Sequence, residues 1–512
     1  MGFVGAAMTA CVLFIAWKLL YACLLAPIKA HRKLRSSGFR GPKPSFPLGN
    51  LKAMKTRREI ASSAGMSPLS HDIHASSLPY FADWQRSHGK VFVYWMGTEP
   101  FLYVSEPEFI KQMSGVVLAK NWGKPAAFRT DLIPMFGCFG LNMIEGKDWI
   151  RHRHIITPAF SPHNLKAMKS LMVESTTAMV DRWTAILDGS ATLELDMEKE
   201  ITALAGEIIA KTSFGMNNGD TGKTLLEKLR AMQISLFKHT RYVGVPFGQF
   251  LTLKQTLEAK RLGEEIDSLF LSIITARRKV IGIESQCDLL GLLLEGGNTD
   301  GKFVKELTTR ELIDECKTFF FGGHETVALA MTWTLLLLAM HPSWQDELRE
   351  EVGEVVGDGA LDFAMLARLK KMGWVMNEVL RLYPSSPNAQ RQARGDIQMG
   401  DKVIPSGTNI WIDIVGMHHD RDFWETNVNE FKPERFSEDL YGKCKHKMGY
   451  LPFGFGGRMC IGRNYAVMEY KIVLASIISR FSFSLSPSYI HSPTYFFTFR
   501  PRFGVPLIIK PL

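Results

Sequence analysis

Cysteine is scarce in this 512-residue chain and badly placed for any shared task. The seven, Cys11, Cys23, Cys138, Cys287, Cys316, Cys444 and Cys460, are odd in number, and none stands in a CxxC pair. That excludes a disulfide framework and a four-cysteine zinc site. No Asn-x-Ser/Thr acceptor occurs, which agrees with a body kept out of a secretory lumen. Internal repeats, low-complexity tracts and a dinucleotide-binding fingerprint are missing too, so solenoids and a fused flavin or nicotinamide domain fall away. Acidic residues are missing from one place only. Residues 1–58 hold eleven Lys or Arg and no Asp or Glu, the first acid being Glu59. The formal charge of +10 is therefore a property of the N-terminus: taking those eleven from the 61 basic residues leaves 50 against 51 acids in residues 59–512. A neutral body excludes nucleic acid as the partner that the net charge first suggests.

What is present begins with one long apolar run. Phe3 to Ala26 is 24 residues with Lys18 as its single charge. At about 1.5 Å per helical residue it spans roughly 36 Å, against a hydrocarbon core of about 30 Å. Lys18 costs about 2–3 kcal/mol at the bilayer centre and less when its amine snorkels. The run exceeds the apolar region of a cleaved signal peptide and carries its basic flank on the C-terminal side, so a retained anchor is expected. Lys29, Arg32, Lys33 and Arg35 on that flank place residues 29–512 in the cytosol by the positive-inside rule. Three prolines between Pro42 and Pro47 cannot continue a helix and favour a stiff connector. The chain thus divides into an anchor at 1–28, a basic, proline-rich linker at 29–58 and a body at 59–512.

Hydrophobic residues make up 46% of the chain and charged ones 22%, which suits a large core. Helical periodicity dominates the body, and strand-like stretches are short: Val91–Trp95 with Phe101–Val104, Asn409–Ile414, and Tyr495–Phe499 with Val505–Ile509. The fold class is mainly α with small β-sheets. The clearest helix runs from Thr308 to Met340, amphipathic at first and then apolar all round, and stops at His341-Pro342. Further helical patterns cover Ser343–Val356, Phe363–Tyr383 and Ile461–Phe481. Gly296 to Lys302 has P-loop spacing, but Phe303 stands where Ser or Thr must reach magnesium, and Asp220 to Thr224 lacks the first glycine. Both read as polar loops, and the His71-x-x-His74 pair as solvated loop.

The segment with chemistry in it is Phe453-Gly454-Phe455-Gly456-Gly457-Arg458-Met459-Cys460-Ile461-Gly462. Four glycines let backbone fold tightly around a small group, and a thiolate is favoured just before a helix N-terminus. At its five fixed positions, Phe453, Gly456, Arg458, Cys460 and Gly462, the string resembles the haem-binding signature of the cytochrome P-450 superfamily. Other motifs of that family follow in order. Glu378-Val379-Leu380-Arg381 resembles its ExxR pair, and Phe431-Lys432-Pro433-Glu434-Arg435-Phe436 its PERF segment, which implies a Glu378–Arg381–Arg435 network. Trp149-x-x-x-Arg153 is similar to the helix motif that binds a haem propionate, and the resemblance implies the same role for Arg391 and Arg458. Gly322-Gly323-His324-Glu325-Thr326 resembles the oxygen-activation motif, with Thr326 relaying a proton and Glu325 supplying one. Gly322 stands where alanine is commoner, and Val327 where a second Thr or Ser is usual.

The resemblance implies the cytochrome P-450 fold behind a single transmembrane helix. Haem b would be ligated through its iron by Cys460 and flanked by Phe453, with O2 and NADPH-derived electrons as co-substrates. A thiolate ligand donates electron density that favours O–O cleavage. Electrons would come from NADPH–cytochrome P-450 reductase in the endoplasmic reticulum membrane, with Lys443, Lys445 and Lys447 as a complementary patch for its acidic flavin domain. Segments implied to line the substrate site are Phe128–Phe139, Phe237–Phe250, Phe319–Gly323, Ser385–Asn388 and Tyr495–Phe497, aromatic and apolar enough for a hydrophobic small molecule. The strings at 320–326 and 429–436 are most similar to the plant branch that includes cytokinin hydroxylases and gibberellin, brassinosteroid and fatty-acid oxidases. The expected reaction is hydroxylation. A haem-thiolate isomerase or dehydratase, or a non-catalytic haem protein, is the alternative, against which the Glu325–Thr326 pair counts.

Overall fold

The computed structural model describes residues 2–63, 69–115, 121–216, 219–237, 242–279, 288–295, 306–357, 359 and 361–512. Helices longer than ten residues are numbered here. The apolar N-terminus forms α1 (Gly2–Leu20), whose described side chains are exposed, and continues through a π turn at Tyr21–Leu25 into α2 (Ala26–Ser36). From Ala6 to Ser36 it is long and apolar enough to cross a membrane, and only 6% of its most apolar window is buried. The boundary expected at residue 28 is not a structural one. α2 carries the basic cluster onto the body, where Leu34 is buried, His31 meets the Trp95 ring edge-on and Lys33 Nζ lies 3.0 Å from Asp396 Oδ2.

After α3 (Leu51–Ser63) come β1 (Val91–Met96) and β2 (Glu99–Val104), then β3 (Trp122–Gly123), α4 (Ala126–Phe136), α5 (Gly146–Ile156) and α6 (Pro162–Leu187). β4 (Leu193–Asp196) leads into α7 (Met197–Phe214), α8 (Gly219–Phe237), α9 (Leu253–Arg278) and α10 (Thr309–Met340). α10 opens on a capping box, with Thr308 Oγ1 accepting from Glu311 N and the Glu311 carboxylate from Thr308 N. It is apolar enough to span a bilayer, but 83% of its most apolar stretch is buried, which makes it the core helix. α11 (Pro342–Val356) and α12 (Lys370–Leu382) follow, then β5 (Asn388–Ala393), β6 (Ile397–Met399), β7 (Lys402–Ile404), β8 (Asn409–Asp413), α13 (Arg463–Ile478), β9 (Phe481–Leu485), β10 (Pro493–Phe496), β11 (Thr498–Pro501) and β12 (Pro506–Pro511).

The largest sheet has the order β1-β2-β8-β5-β3, with β2 and β8 parallel and the other pairs antiparallel. Its strand β5 follows α12, half-buried from Asn388 to Arg391 and buried at Gln392 and Ala393.

Several expectations are corrected. Phe363–Tyr383 is two helices, Met365–Arg368 and α12, because Leu369 leaves helical dihedrals at ψ 78°. Tyr495–Phe499 is not one strand. Phe497 adopts φ +70°, a left-handed value costly for a side chain of its size, and turns the chain into the β10–β11 hairpin. β12 pairs instead with β4 and β9. Asp220–Thr224 lies in the first turns of α8 rather than in a loop, and Gly296–Lys302 lies outside the described residues. His71 and His74 are buried, not solvated, because each imidazole has an internal partner: Tyr383 Oη at 2.6 Å and Asp413 Oδ2 at 2.9 Å. Among the described residues no three metal-binding side chains converge.

Candidate functional site

A cavity of about 450 Å3 lies between α10 and the Phe453–Gly462 loop. The loop is built by its glycines. Gly454 and Gly456 take φ of +73° and +62°, which side chains resist, and Gly456–Arg458 closes a 3-10 turn. Cys460 N then donates to Phe453 O at 2.9 Å, so both residues expected to meet a cofactor share one wall. α13 starts at Arg463, three residues after Cys460. Burial pushes the Cys460 thiol up, opposed by the backbone N–H of Gly462 and the charges of Arg153 and Arg463.

One end of this cavity is cationic. Trp149 and Arg153 lie one turn apart on α5 and both line it, as do Arg391 of β5 and Arg458 of the loop. The Arg458 guanidinium sits 4.5 Å over the Trp149 ring and donates to Ile144 O at 2.8 Å; Arg153 donates to Met459 O at 3.1 Å; Arg391 donates to Gln390 O at 2.8 Å. Lys124 joins them, donating to Asn142 Oδ1 at 3.0 Å. Carbonyl and amide oxygens hold these four cations, and among the described residues no carboxylate pairs with any of them. Glu145, whose charge reaches Lys124 and Arg458, is taken by the Arg394 side chain and the Lys124 backbone N–H. Burial, then Arg391 and Arg458, lowers Lys124 to about 7, while burial lowers Arg391 to about 10 and, with Arg391 beside it, Arg458 to about 10. Lys124 was invisible in the sequence, since a lone lysine before Pro125 carries no spacing signal.

The opposite wall is α10. Gly322, Gly323, Thr326 and Val327 line the cavity, and Thr326 Oγ1 donates to Gly322 O at 2.7 Å. Ser385 Oγ donates to Thr326 O at 2.8 Å. A methyl on Gly322 would meet nothing within 4 Å, whereas one on Gly323 would stand 2.3 Å from Ile209 Cδ1 of α7. Glu325 does not line the cavity. Its Oε1 accepts from Thr498 Oγ1 at 2.8 Å and Gln233 Nε2 at 3.2 Å. Burial would raise it, yet the Arg500 guanidinium at 3.6 Å and these partners hold it below the usual carboxylate range. The remaining wall is mostly apolar, with Phe128, Leu132, Phe136 and Phe497 among others, and also carries Asn388, Tyr495 and the exposed Arg129. Of the expected lining segments, Phe237–Phe250 supplies no wall residue among those described, 237 and 242–250. Phe237 instead backs Phe497, the rings stacked at 5.2 Å.

Beneath the site, Glu378 chelates Arg381, with 2.7 Å from Nε to Oε2 and 2.8 Å from Nη2 to Oε1. Arg435 Nε stands 3.4 Å from Glu378 Oε1, and Arg381 also donates to the carbonyls of His418 and Val428. All three side chains are buried, so the implied triad exists as a desolvated network.

These features coincide with what sequence comparison finds: the cytochrome P450 profile matches residues 69–500. The chain belongs to the cytochrome P450 family. A cytokinin hydroxylase of Arabidopsis thaliana is 37% identical, the match covering 95% of this chain and 94% of its own. Cytochrome P450 714C2 of Oryza sativa subsp. japonica is 33% identical over 98% and 97%, and cytochrome P450 734A1 of Arabidopsis thaliana 34% over 95% and 92%. The protein is a P450 monooxygenase with the mostly helical fold of that family and an apolar N-terminal helix as its candidate membrane span. The family implies haem, with O2 and NADPH-derived electrons. The residues present fit that group. Four cations without carboxylate partners at one end of an apolar cavity call for a dianion, which the two haem carboxylates supply, and a thiol stands on the wall beside them.

Proposed function

We propose that this P450 hydroxylates a hydrophobic small molecule of plant hormone, isoprenoid or fatty-acid type, using haem b held by Cys460. The observation that carries the proposal is the pairing, across one cavity, of Cys460 and a cationic end with Thr326 and two glycines. Arg153, Arg391, Arg458 and Lys124 would hold the two carboxylates, with Trp149 keeping Arg458 flat and Phe453 backing the thiolate loop. Bound there, the haem supplies one-electron and oxygen-activating chemistry tuned by its thiolate ligand. The protein's part is to orient and to move protons. Thr326 presents its hydroxyl where Gly322 leaves the helix surface open, and the phenylalanine-rich wall excludes water and takes an apolar substrate. Cytokinin-type substrates are the first to try, because a cytokinin hydroxylase is 37% identical over nearly the whole chain.

In this reading residues 1–28 anchor the enzyme in the endoplasmic reticulum membrane and residues 59–512 form a cytosolic catalytic domain. NADPH–cytochrome P-450 reductase delivers electrons against Lys443, Lys445 and Lys447, all exposed just before the thiolate loop. Reversing those three charges is expected to slow reductase-driven turnover and spare peroxide-driven turnover; equal slowing of both removes the patch from the reductase contact.

The deciding experiment is the carbon-monoxide difference spectrum of the reduced protein, followed by product analysis of membranes fed hormone precursors and fatty acids. A Soret band near roughly 450 nm, lost in Cys460→Ala, is expected, and a native band near roughly 420 nm overturns thiolate ligation.

A further inference from the structure

Glu325 is one residue from Thr326 yet is tied to a different part of the molecule. Its carboxylate accepts from Thr498 Oγ1 of β11 and Gln233 Nε2 of α8, with Arg500 Nη2 of β11 at 3.6 Å and His324 Nε2 at 3.9 Å. Thr498 and Arg500 stand two apart on one short strand, so both side chains leave the same face. That strand is fastened to α10 by a separate bond, Trp333 Nε1 to Phe499 O at 3.1 Å.

Arg500 in turn donates to Glu198 Oε1 of α7 at 3.0 Å, and the same oxygen accepts from Arg230 Nη1 of α8 at 3.0 Å. The result is a buried chain of alternating charge, Arg230–Glu198–Arg500–Glu325, with only Arg230 reaching solvent. It is an expensive arrangement. Arg500 Nε is buried with no partner, and the strand that presents the guanidinium begins immediately after the strained Phe497 turn. Core packing alone needs neither feature. A hydrophobic residue at 500 would close the same space but leave two buried carboxylates, Glu198 and Glu325, without the guanidinium that joins them.

We propose that Arg500 and Thr498 are positioning residues for Glu325, holding its carboxylate ionised and outside the cavity, so that it passes a proton toward Thr326 only after taking one up from water. The proposal rests on the monooxygenase reading above and adds the residues that govern its acid. The groups facing Glu325 are His324 on its own helix, Gln233 and Arg230 from α8, Glu198 from α7, and Thr498 and Arg500 from β11.

The test is an infrared pH titration of the haem-loaded protein, with the Glu325 carboxyl band identified by its loss in Glu325→Gln. The midpoint for Glu325 protonation is expected to rise by at least one pH unit in Arg500→Gln, by less in the near-isosteric Thr498→Val, and to return toward wild type in Arg500→Lys. A Glu198 contribution is separated by the double variant Arg500→Gln with Glu325→Gln, in which the new band must vanish. An unchanged midpoint in Arg500→Gln overturns the proposal. If that variant loses its reduced carbon-monoxide band and so has not folded, Thr498→Val decides alone, and an unmoved midpoint there overturns it equally. A wild-type band near roughly 420 nm sinks the monooxygenase reading instead, so the two failures are told apart.

Discussion

Lys124 shows how much one side chain records about a missing partner. Burial and the neighbouring Arg391 and Arg458 bring it to about 7, against about 10.5 in an unfolded chain. A basic group whose folded value is the lower one costs stability: in full below pH 7, less as pH rises from there, and not at all above about 10.5. In haem-free protein Lys124→Met is therefore expected to raise the melting temperature at pH 7, by about 1 °C for each kcal/mol recovered in a chain of this size, and the gain should fade by pH 10. In the haem-loaded protein the sign reverses, because the ammonium then has a carboxylate to meet. Transfer of haem to apomyoglobin should run several-fold faster from the variant, and equal rates remove Lys124 from the propionate end. Arg153, Arg391 and Arg458 were readable in the sequence because the family resemblance singles them out. Lys124 was not, since only the pairing of β3 with β5 and the bond from Lys124 N to Glu145 bring it to them.

At the scale of elements, the core helix reads differently on its two glycines. The Gly322-Gly323-His324-Glu325-Thr326 string was legible, but which glycine opens the groove depends on α7, more than a hundred residues upstream. Ile209 packs against Gly323 and leaves Gly322 open to the cavity. Gly322→Ala is expected to be tolerated, with the carbon-monoxide band and melting temperature close to wild type. Gly323→Ala drives a methyl into the Ile209 side chain and should destabilise by about 1–3 kcal/mol as α7 and α10 are pushed apart. Equal effects of the two variants in thermal melts would show that α7 yields freely. The same limit hid the partners of Glu325, since Thr498 and Arg500 lie 173 and more positions away and mark themselves only by alternation on a four-residue strand. The Glu378–Arg381 pair, by contrast, is local on one helix face and was plain from its spacing, while its burial was not.

At the scale of the whole molecule, charge partition and architecture answer each other. Five of the eleven basic residues of the first 58 lie in a helix that begins in an uncovered apolar segment and ends docked on the body through Leu34, His31 and Lys33. The stiff connector at Pro42–Pro47 is not what sets the anchor against the body, because α2 docks on the body before the first of those prolines, and the undocked segment ends at about residue 25. The docked helix has its own burial and its own ion pair, and the segment before it has neither. Deleting residues 2–25 should therefore separate membrane attachment from folding. The shortened protein is expected to keep its carbon-monoxide band and melt within about 2 °C of the full chain, since no core contact is removed. It should also become extractable by alkaline carbonate, which the full-length protein is expected to resist. Loss of haem or a markedly lower melting temperature would mean that the apolar helix supports the body directly, and carbonate resistance retained by the shortened protein would mean that the body holds the membrane through a surface of its own.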